Sequence, residues 1–204
     1  MHTHIHIAIF CSGTGSNARE IMDYFNKHPH IRVALLAANK PDAGALQIAQ
    51  TFGIETMVFD RHIFKNETAS LCHTLQQKQI EYIVLAGFLW QIPELMIDAF
   101  SDRILNIHPA LLPKFGGKGM YGHFVHEAVI AAGMAQSGMT VHLANAGYDE
   151  GKILFQAFCP VLPTDDANVL AARVLRLEHS YFATVIEAYI QYKNSSSATP
   201  SPKQ

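Results

Sequence analysis

The sequence predicts an α/β fold, a Rossmann-like, three-layer arrangement whose mostly parallel sheet ends in an antiparallel hairpin. Three observations carry that prediction. Short apolar runs alternate with helix-like segments along most of the chain, the pattern of right-handed βαβ crossovers. The runs are continuously apolar rather than alternating, as strands covered on both faces should be. Near the C-terminus two strand-like runs follow one another with only a turn-rich link between them. The length of 204 residues suits about one domain. With 49% hydrophobic and 16% charged residues the chain can bury a sizeable core.

Ile5 to Cys11 is the first strand. Ser16 to Lys27 reads as a helix with Ile21, Met22 and Phe25 on one face. Ile31 to Ala38 is the second strand, and Pro41 suits the first position of a second helix. Ile54 to Phe59 is a third strand, Thr68 to Gln79 a helix, and Ile80 to Gly87 a fourth strand. Pro93 to Phe100 is a short helix, Ile104 to His108 a fifth strand, and His123 to Ala132 another helix. Met139 to Ala144 and Ile153 to Val161 are strands joined by Asn145 to Gly151 (NAGYDEG), hence a hairpin. A long helix follows from Asp165 to Tyr189, with Asp165 and Asp166 at its positive end. Residues 1–192 form a single domain, and the polar, proline-containing segment 193–204 is expected to be a disordered tail.

Several function classes drop out. Fifteen basic against 17 acidic residues give a net charge of −2, unlike the clustered positive charge that a nucleic-acid sheath needs. No apolar stretch of about 18 residues exists, so no membrane span is readable. The start, MHTHIHIAIF, lacks a basic n-region and a cleavage pattern. Cys11, Cys72 and Cys159 are odd in number and widely spaced, which fits neither a disulfide framework nor a zinc site. A reduced cytoplasmic setting follows.

Two places carry chemistry. After the first strand, Cys11-Ser12-Gly13-Thr14-Gly15-Ser16-Asn17-Ala18 leads into a helix. Glycines let backbone amides approach an anion, and a helix N-terminus directs N–H groups and a positive dipole at it. Ser16 or Asn17 can also cap the helix, which is the plain structural alternative. A dinucleotide site would want an acidic residue about 20 positions on, but the second strand ends Ala37-Ala38-Asn39-Lys40. One terminal phosphate suits the loop better.

In Leu105-Asn106-Ile107-His108-Pro109, Asn106 and His108 share one strand face at a strand C-terminus, where open α/β sheets place ligands. An amide donor can hold an oxyanion and an imidazole can exchange a proton near neutral pH, which suits acyl transfer. Asp149, in the hairpin link, is the candidate third group, against the alternative of a solvated turn former. Thr140 and His142 share one face of the preceding strand, running toward the same sheet end; a half-exposed edge strand is the alternative there. His123 and His126 could present two imidazoles from one helix face, but no carboxylate or cysteine completes a metal set, so a structural role is favoured. His2, His4 and His6 read as a solvent face.

These residues match a known family. Over residues 5 to 190 the chain resembles the folate-dependent formyltransferases, and within them the phosphoribosylglycinamide (glycinamide ribonucleotide) branch. The matching motifs are Ser12-Gly13-Thr14-Gly15-Ser16-Asn17, Val84-Leu85-Ala86-Gly87-Phe88, and Asn106-Ile107-His108-Pro109-Ala110-Leu111-Leu112-Pro113-Lys114. Asp149-Glu150-Gly151 and Leu177-Glu178-His179 complete them. The resemblance implies transfer of the formyl group of 10-formyltetrahydrofolate, without a metal, to the amine of 5-phospho-ribosyl-glycinamide in purine (IMP) biosynthesis. It implies catalysis by Asn106, His108 and Asp149, with Asp149 orienting His108 and raising its pKa. Thr14, Gly15, Ser16, Asn17 and Glu178 would bind the ribonucleotide, with Lys118 near its phosphate. Leu89, Trp90, Gln91, Ile92, Asn106, Thr140, His142, Asn145, Ala146, Gly147 and Tyr148 would line the folate pocket. The partners implied are these small molecules, with no nucleic acid and no membrane, and a homodimer is compatible with the family.

The chain departs from the family in places. Many members carry Met-Arg where Leu89-Trp90 stands, and an arginine common after the third strand has no counterpart around residues 64–68. The loop 115–122 (FGGKGMYG) is longer than in many relatives. Methionyl-tRNA formyltransferases would add a C-terminal domain and more basic surface, and formyltetrahydrofolate hydrolases an N-terminal regulatory domain. A non-catalytic nucleotide-binding module would not need Asn106, His108 and Asp149 together.

Overall fold

A computed structural model describes residues 4–197. Along the chain lie β1 (Ile5–Cys11), α1 (Ser16–Phe25), β2 (Ile31–Ala38), α2 (Gly44–Thr51), β3 (Glu55–Val58), α3 (Arg61–Asn66) and α4 (Thr68–Gln77). Then come β4 (Ile80–Leu85), α5 (Glu94–Ala99), β5 (Ile104–His108), α6 (His123–Ala131), β6 (Gln136–Leu143), β7 (Ile153–Pro160) and α7 (Ala167–Ser197). The seven-stranded sheet has the order β3-β2-β1-β4-β5-β6-β7. β1 to β5 pair in parallel, whereas β6 runs antiparallel to both β5 and β7.

Successive side chains of a strand point to opposite faces, so each central strand feeds two cores. Ile7, Ile9, Val84 and Leu105 meet Ile21, Met22, Val129, Leu170 and Ile186 of α1, α6 and α7 on one face. Ala8, Phe10, Leu35 and Ile83 meet Phe64, Leu71, Leu75 and Met96 of α3, α4 and α5 on the other. Strand succession reverses direction between β1 and β4. That leaves a crevice at the C-terminal ends of the strands, the usual ligand position in such sheets.

The elements differ from expectation in four places. Pro41 does not open a helix: residues 40–42 form a turn closed by Ala43 N–H donating to the Lys40 carbonyl, and α2 starts at Gly44. α3 is a helix that apolar periodicity missed because it is one short turn pair. It forms because Asp60 caps it, accepting from Ile63 N–H at 2.9 Å, and because Phe64 is fully buried. β6 begins at Gln136 rather than Met139, and it is an interior strand because β7 covers its outer side, which removes the half-exposed-edge alternative. α7 runs past 192 to Ser197, so residues 193–197 are helical and not a disordered tail; residues 198–204 lie outside the described residues. At its start Asp166 Oδ1 accepts from Val169 N–H at 2.8 Å, and Asp165 pairs with both Arg173 guanidinium nitrogens. His2 also lies outside the described residues, and of the other N-terminal histidines only His4 is exposed.

Candidate active site

β5 is apolar until its last residues, where Asn106 and His108 emerge at the crevice and Pro109 ends the ladder. The antiparallel register sets Asn106 opposite His142 and His108 opposite Thr140, so four polar side chains arise from two adjacent strand ends. His108 is 3% exposed and His142 2%. The hairpin loop after β6 brings Asp149 over them in a left-handed backbone conformation, φ +57°.

Asp149 Oδ2 lies 3.4 Å from His108 Nδ1, and Oδ1 lies 3.5 Å from His142 Nε2. The second nitrogen of each ring is fixed by a backbone carbonyl. His108 Nε2 is 2.8 Å from the Phe115 oxygen, and His142 Nδ1 is 2.9 Å from the Leu143 oxygen. A carbonyl only accepts, so those nitrogens carry the protons. His142 Nε2 is then the acceptor for Asn106 Nδ2 at 3.0 Å. The same Asn106 amide also donates to Asp149 Oδ1 at 3.4 Å. Gly117 N–H donates to Asp149 Oδ2 at 3.0 Å.

Electrostatics follow this packing. Burial pushes the His108 pKa down, and that outweighs the upward pull of the Asp149 carboxylate and the Phe115 carbonyl; His142 adds to the depression. The carboxylate raises His108 as expected, but loss of hydration is larger, so the net direction is down. Burial pushes Asp149 up, yet the neighbouring His142 and His108 rings and the Gly117 N–H together hold it below the ordinary carboxylate range.

These groups open into a cavity of about 930 Å³. Its lining includes Asn17 and Glu178, the segment Leu89 to Ile92, and Asn145, Gly147 and Tyr148 of the hairpin loop. Asn17 Nδ2 donates to Glu178 Oε2 at 2.6 Å, tying α1 to α7. Glu178 is 7% exposed, and burial raises its carboxyl pKa, partly offset by Asn17. Lys118, from the loop 115–122, also lines the cavity. Gln91 Nε2 donates to the Ala146 carbonyl at 2.6 Å, so the two segments expected around the folate brace one another.

Some expected site residues stand elsewhere. Thr140 is fully buried and does not line the cavity. Its hydroxyl donates to the Ala110 carbonyl and accepts from Leu112 N–H and Gln156 Nε2, so it fixes the turn after His108 instead. Ala146 contributes its carbonyl to Gln91 rather than a cavity surface. Of Thr14, Gly15, Ser16 and Asn17, only Asn17 lines the cavity. Gly15 is needed for two reasons: its φ is +84° and a Cβ would stand 2.5 Å from Ala45 Cβ. α1 has no side-chain cap, which leaves its first amides for another acceptor. His126 lines the cavity but is 5% exposed. Burial, then His123 and His108, push its pKa down to about 4. His123 pairs with Glu127 at 3.3 Å, and no group of metal-ligating residues occurs among the described residues.

The sequence could not reveal the contributions of the Phe115 and Leu143 carbonyls and the Gly117 amide, because backbone groups carry no residue signature. The glycines and the left-handed Phe115 (φ +58°) are the one trace of that tight loop.

Comparison with known proteins agrees with this architecture. A profile of the formyl transferase family matches residues 5–186. A chloroplastic phosphoribosylglycinamide formyltransferase from Vigna unguiculata is 44% identical over 186 residues, covering 89% of this chain but 60% of that protein. The chain thus spans less than two thirds of that plant relative. The phosphoribosylglycinamide formyltransferase of Bacillus subtilis is 30% identical over 191 residues, covering 92% of this chain and 95% of the relative. The crystal structure of phosphoribosylglycinamide formyltransferase from Anaplasma phagocytophilum superposes with a TM-score of 0.83 at 31% identity, covering 94% of this chain and 89% of that one. With the Asn106–His108–Asp149 cluster placed at the sheet crevice and the match running through nearly every element, the chain belongs to the formyl transferase family.

Proposed function

We propose that this chain transfers the formyl group of 10-formyltetrahydrofolate to the amine of 5-phospho-ribosyl-glycinamide, a step of purine (IMP) biosynthesis. The observation that carries this reading is the convergence of Asn106, His108 and Asp149 on the wall of one cavity, in a chain whose relatives are named phosphoribosylglycinamide formyltransferases. The ribonucleotide lies toward Asn17 and Glu178, its phosphate at the uncapped start of α1 with Lys118 nearby. The folate lies toward Leu89 to Ile92 and the hairpin loop.

The amine nitrogen attacks the formyl carbon, forming a C–N bond and a tetrahedral oxyanion. His108 enters neutral because burial depresses it, with its proton on Nε2 toward Phe115. Its free Nδ1 accepts the amine proton, and Asp149, 3.4 Å away, steadies the imidazolium. The Asn106 amide gives up its longer bond to Asp149 in favour of the oxyanion, while His142 retains the other hydrogen. Collapse breaks the bond from carbon to folate N10, and Nδ1 returns the proton to that nitrogen.

Three buried free cysteines support a reducing, cytoplasmic setting. No helix among the described residues is long and apolar enough to cross a membrane. A homodimer is supported by β7, an uncharged sheet edge of the kind that invites pairing; sedimentation measures it. The decisive assay is formyl transfer between the two named substrates. Absence of transfer with the ribonucleotide, alongside transfer to methionyl-tRNA or hydrolysis to formate, would replace this reading.

A further inference from the structure

Trp90 is the only tryptophan in the chain, and it stands on the cavity wall. It is the outermost member of a ring cluster that reaches back into the core. Its ring centroid is 5.5 Å from Phe64, 6.1 Å from Phe88 and 6.3 Å from Phe59. Phe59 and Phe64 in turn stack at 5.2 Å with an interplanar angle of 8°. Phe64 is fully buried and Phe88 is 9% exposed, so the indole rests on a rigid aromatic base. Its neighbour Leu89, 47% exposed, adds apolar surface.

Positive charge along the cavity is scarce. Among the described residues that line the cavity, Lys118 is the only lysine or arginine, and it belongs to the loop 115–122. Arg61 and Lys65 flank Phe64 on α3, but both are exposed and neither lines the cavity. A formyl-folate consists of a fused heterocycle, an aryl ring and a carboxylate tail. Of these, an indole on a phenylalanine base offers most to the aryl ring, through stacking and loss of apolar surface to water. It offers no positive charge to the carboxylates.

We propose that Trp90 is a specificity-determining residue: its indole supplies the wall against which the aryl ring of the formyl donor stacks. Donor binding is thereby carried by stacking rather than by ion pairing with the tail. This rests on the functional reading above. It adds that the side chain, not only the backbone of this segment, selects the donor, and that the length and charge of the tail matter little.

Calorimetric titration with 5-formyltetrahydrofolate, as mono- and triglutamate, at low and high salt tests this on the whole chain. Wild type should bind both forms within about twofold, with little change as salt rises, because screening weakens ion pairs and leaves stacking intact. Trp90→Ala should weaken binding about tenfold, the scale of a lost aromatic contact with its burial. Trp90→Phe, which preserves the ring cluster, should lose less than about threefold. Trp90→Arg should acquire salt dependence and prefer the triglutamate. Replacing Arg61 and Lys65 together by Ala should leave affinity unchanged. Equal binding by wild type and folded Trp90→Ala overturns the proposal. So does a wild-type preference for the triglutamate that vanishes in salt, or its loss in the Arg61/Lys65 variant. If wild type binds no folate and transfers no formyl group, the functional reading fails first and takes this one with it.

Discussion

Asp149 stands 3.4 Å from Nδ1 of His108 and 3.5 Å from Nε2 of His142, so one carboxylate serves two imidazoles. Each ring is turned toward it by a carbonyl on the far nitrogen. The arrangement makes Asp149 a hub: it faces His108, the proposed proton carrier, and also holds Asn106 through its Oδ1.

Replacing Asp149 by Asn tests the hub. Burial already depresses His108, and Asp149 opposes that depression. Without the carboxylate the His108 pKa falls further, so the acidic limb of kcat against pH should move to lower pH. Turnover at the plateau should fall by about 10²–10⁴-fold, the range for general acid–base assistance. A limb that stays in place while turnover falls would leave Asp149 a structural role only.

In the proposed mechanism Asn106 and His108 serve one transition state. His108→Ala should cut kcat by about 10²–10⁴-fold and Asn106→Ala by about 10²–10³-fold. The double variant should lose less than the product of the two, since groups acting together are not additive. Folding should survive, because both residues end a strand. Single-turnover rates of the four proteins decide it; strictly multiplicative losses would mean the two act on separate steps.

The parallel part of the sheet was readable because buried strands are continuous apolar runs: β1, β2 and β5 begin and end where their runs do. Asn106 and His108 stood out as polar residues interrupting such a run. α3 was illegible because six residues are too few to show a helical period, and its signal is the Asp60 cap. Thr140 was misplaced for a different reason. Strand alternation gives the face of a side chain but not its partners, and the Thr140 hydroxyl, opposite His108, is taken up by the Ala110–Leu112 backbone. The pairing of Asn106 with His142 depends on register between β5 and β6, which no local pattern encodes.

His126 should make the protein acid-sensitive. Its pKa is about 4 in the folded chain, against about 6.5 when unfolded. Between those values the unfolded chain binds a proton that the folded chain refuses, so stability falls as pH drops through the window. The full loss below pH 4 is on the order of 3 kcal/mol. Its Nδ1 is buried without a partner, so His126→Leu should fold well at neutral pH and flatten this dependence. Denaturant midpoints of both proteins at pH 7 and 4.5 measure it, and equal losses would contradict the assignment.

Gly151 closes the hairpin that delivers Asp149. A Cβ there would collide with the Leu143 carbonyl and approach His142 Nδ1 to 3.4 Å. Gly151→Ala should therefore destabilise the hairpin and, by displacing Asp149, lower kcat more than it raises either KM. Gly133→Ala is the control: its own φ of +60° strains an L side chain, but it has open space around it, so it should cost only about 1 kcal/mol with kcat intact. Equal effects on kcat would show that the clash at Gly151 is relieved without moving Asp149.

Glu178 separates binding from stability. Burial raises its carboxyl pKa above the ordinary 4.5, with Asn17 opposing. The folded chain therefore keeps this proton to higher pH than the unfolded chain, and stability is lost as pH rises from 4.5 through the folded value. At neutral pH this raised carboxyl is a net burden on the fold. Glu178→Gln keeps an oxygen to accept from Asn17 Nδ2 while removing the charge. Its Tm should exceed that of wild type at pH 7, and the gain should vanish near pH 4, where both side chains are neutral. If the carboxylate contacts the ribonucleotide, as its place on the cavity wall supports, KM for that substrate should rise about tenfold, the scale of one charged hydrogen bond. kcat and the KM for the folate should stay near wild type, because uniform binding was removed. A higher Tm with an unchanged ribonucleotide KM would assign Glu178 to the α1–α7 contact alone.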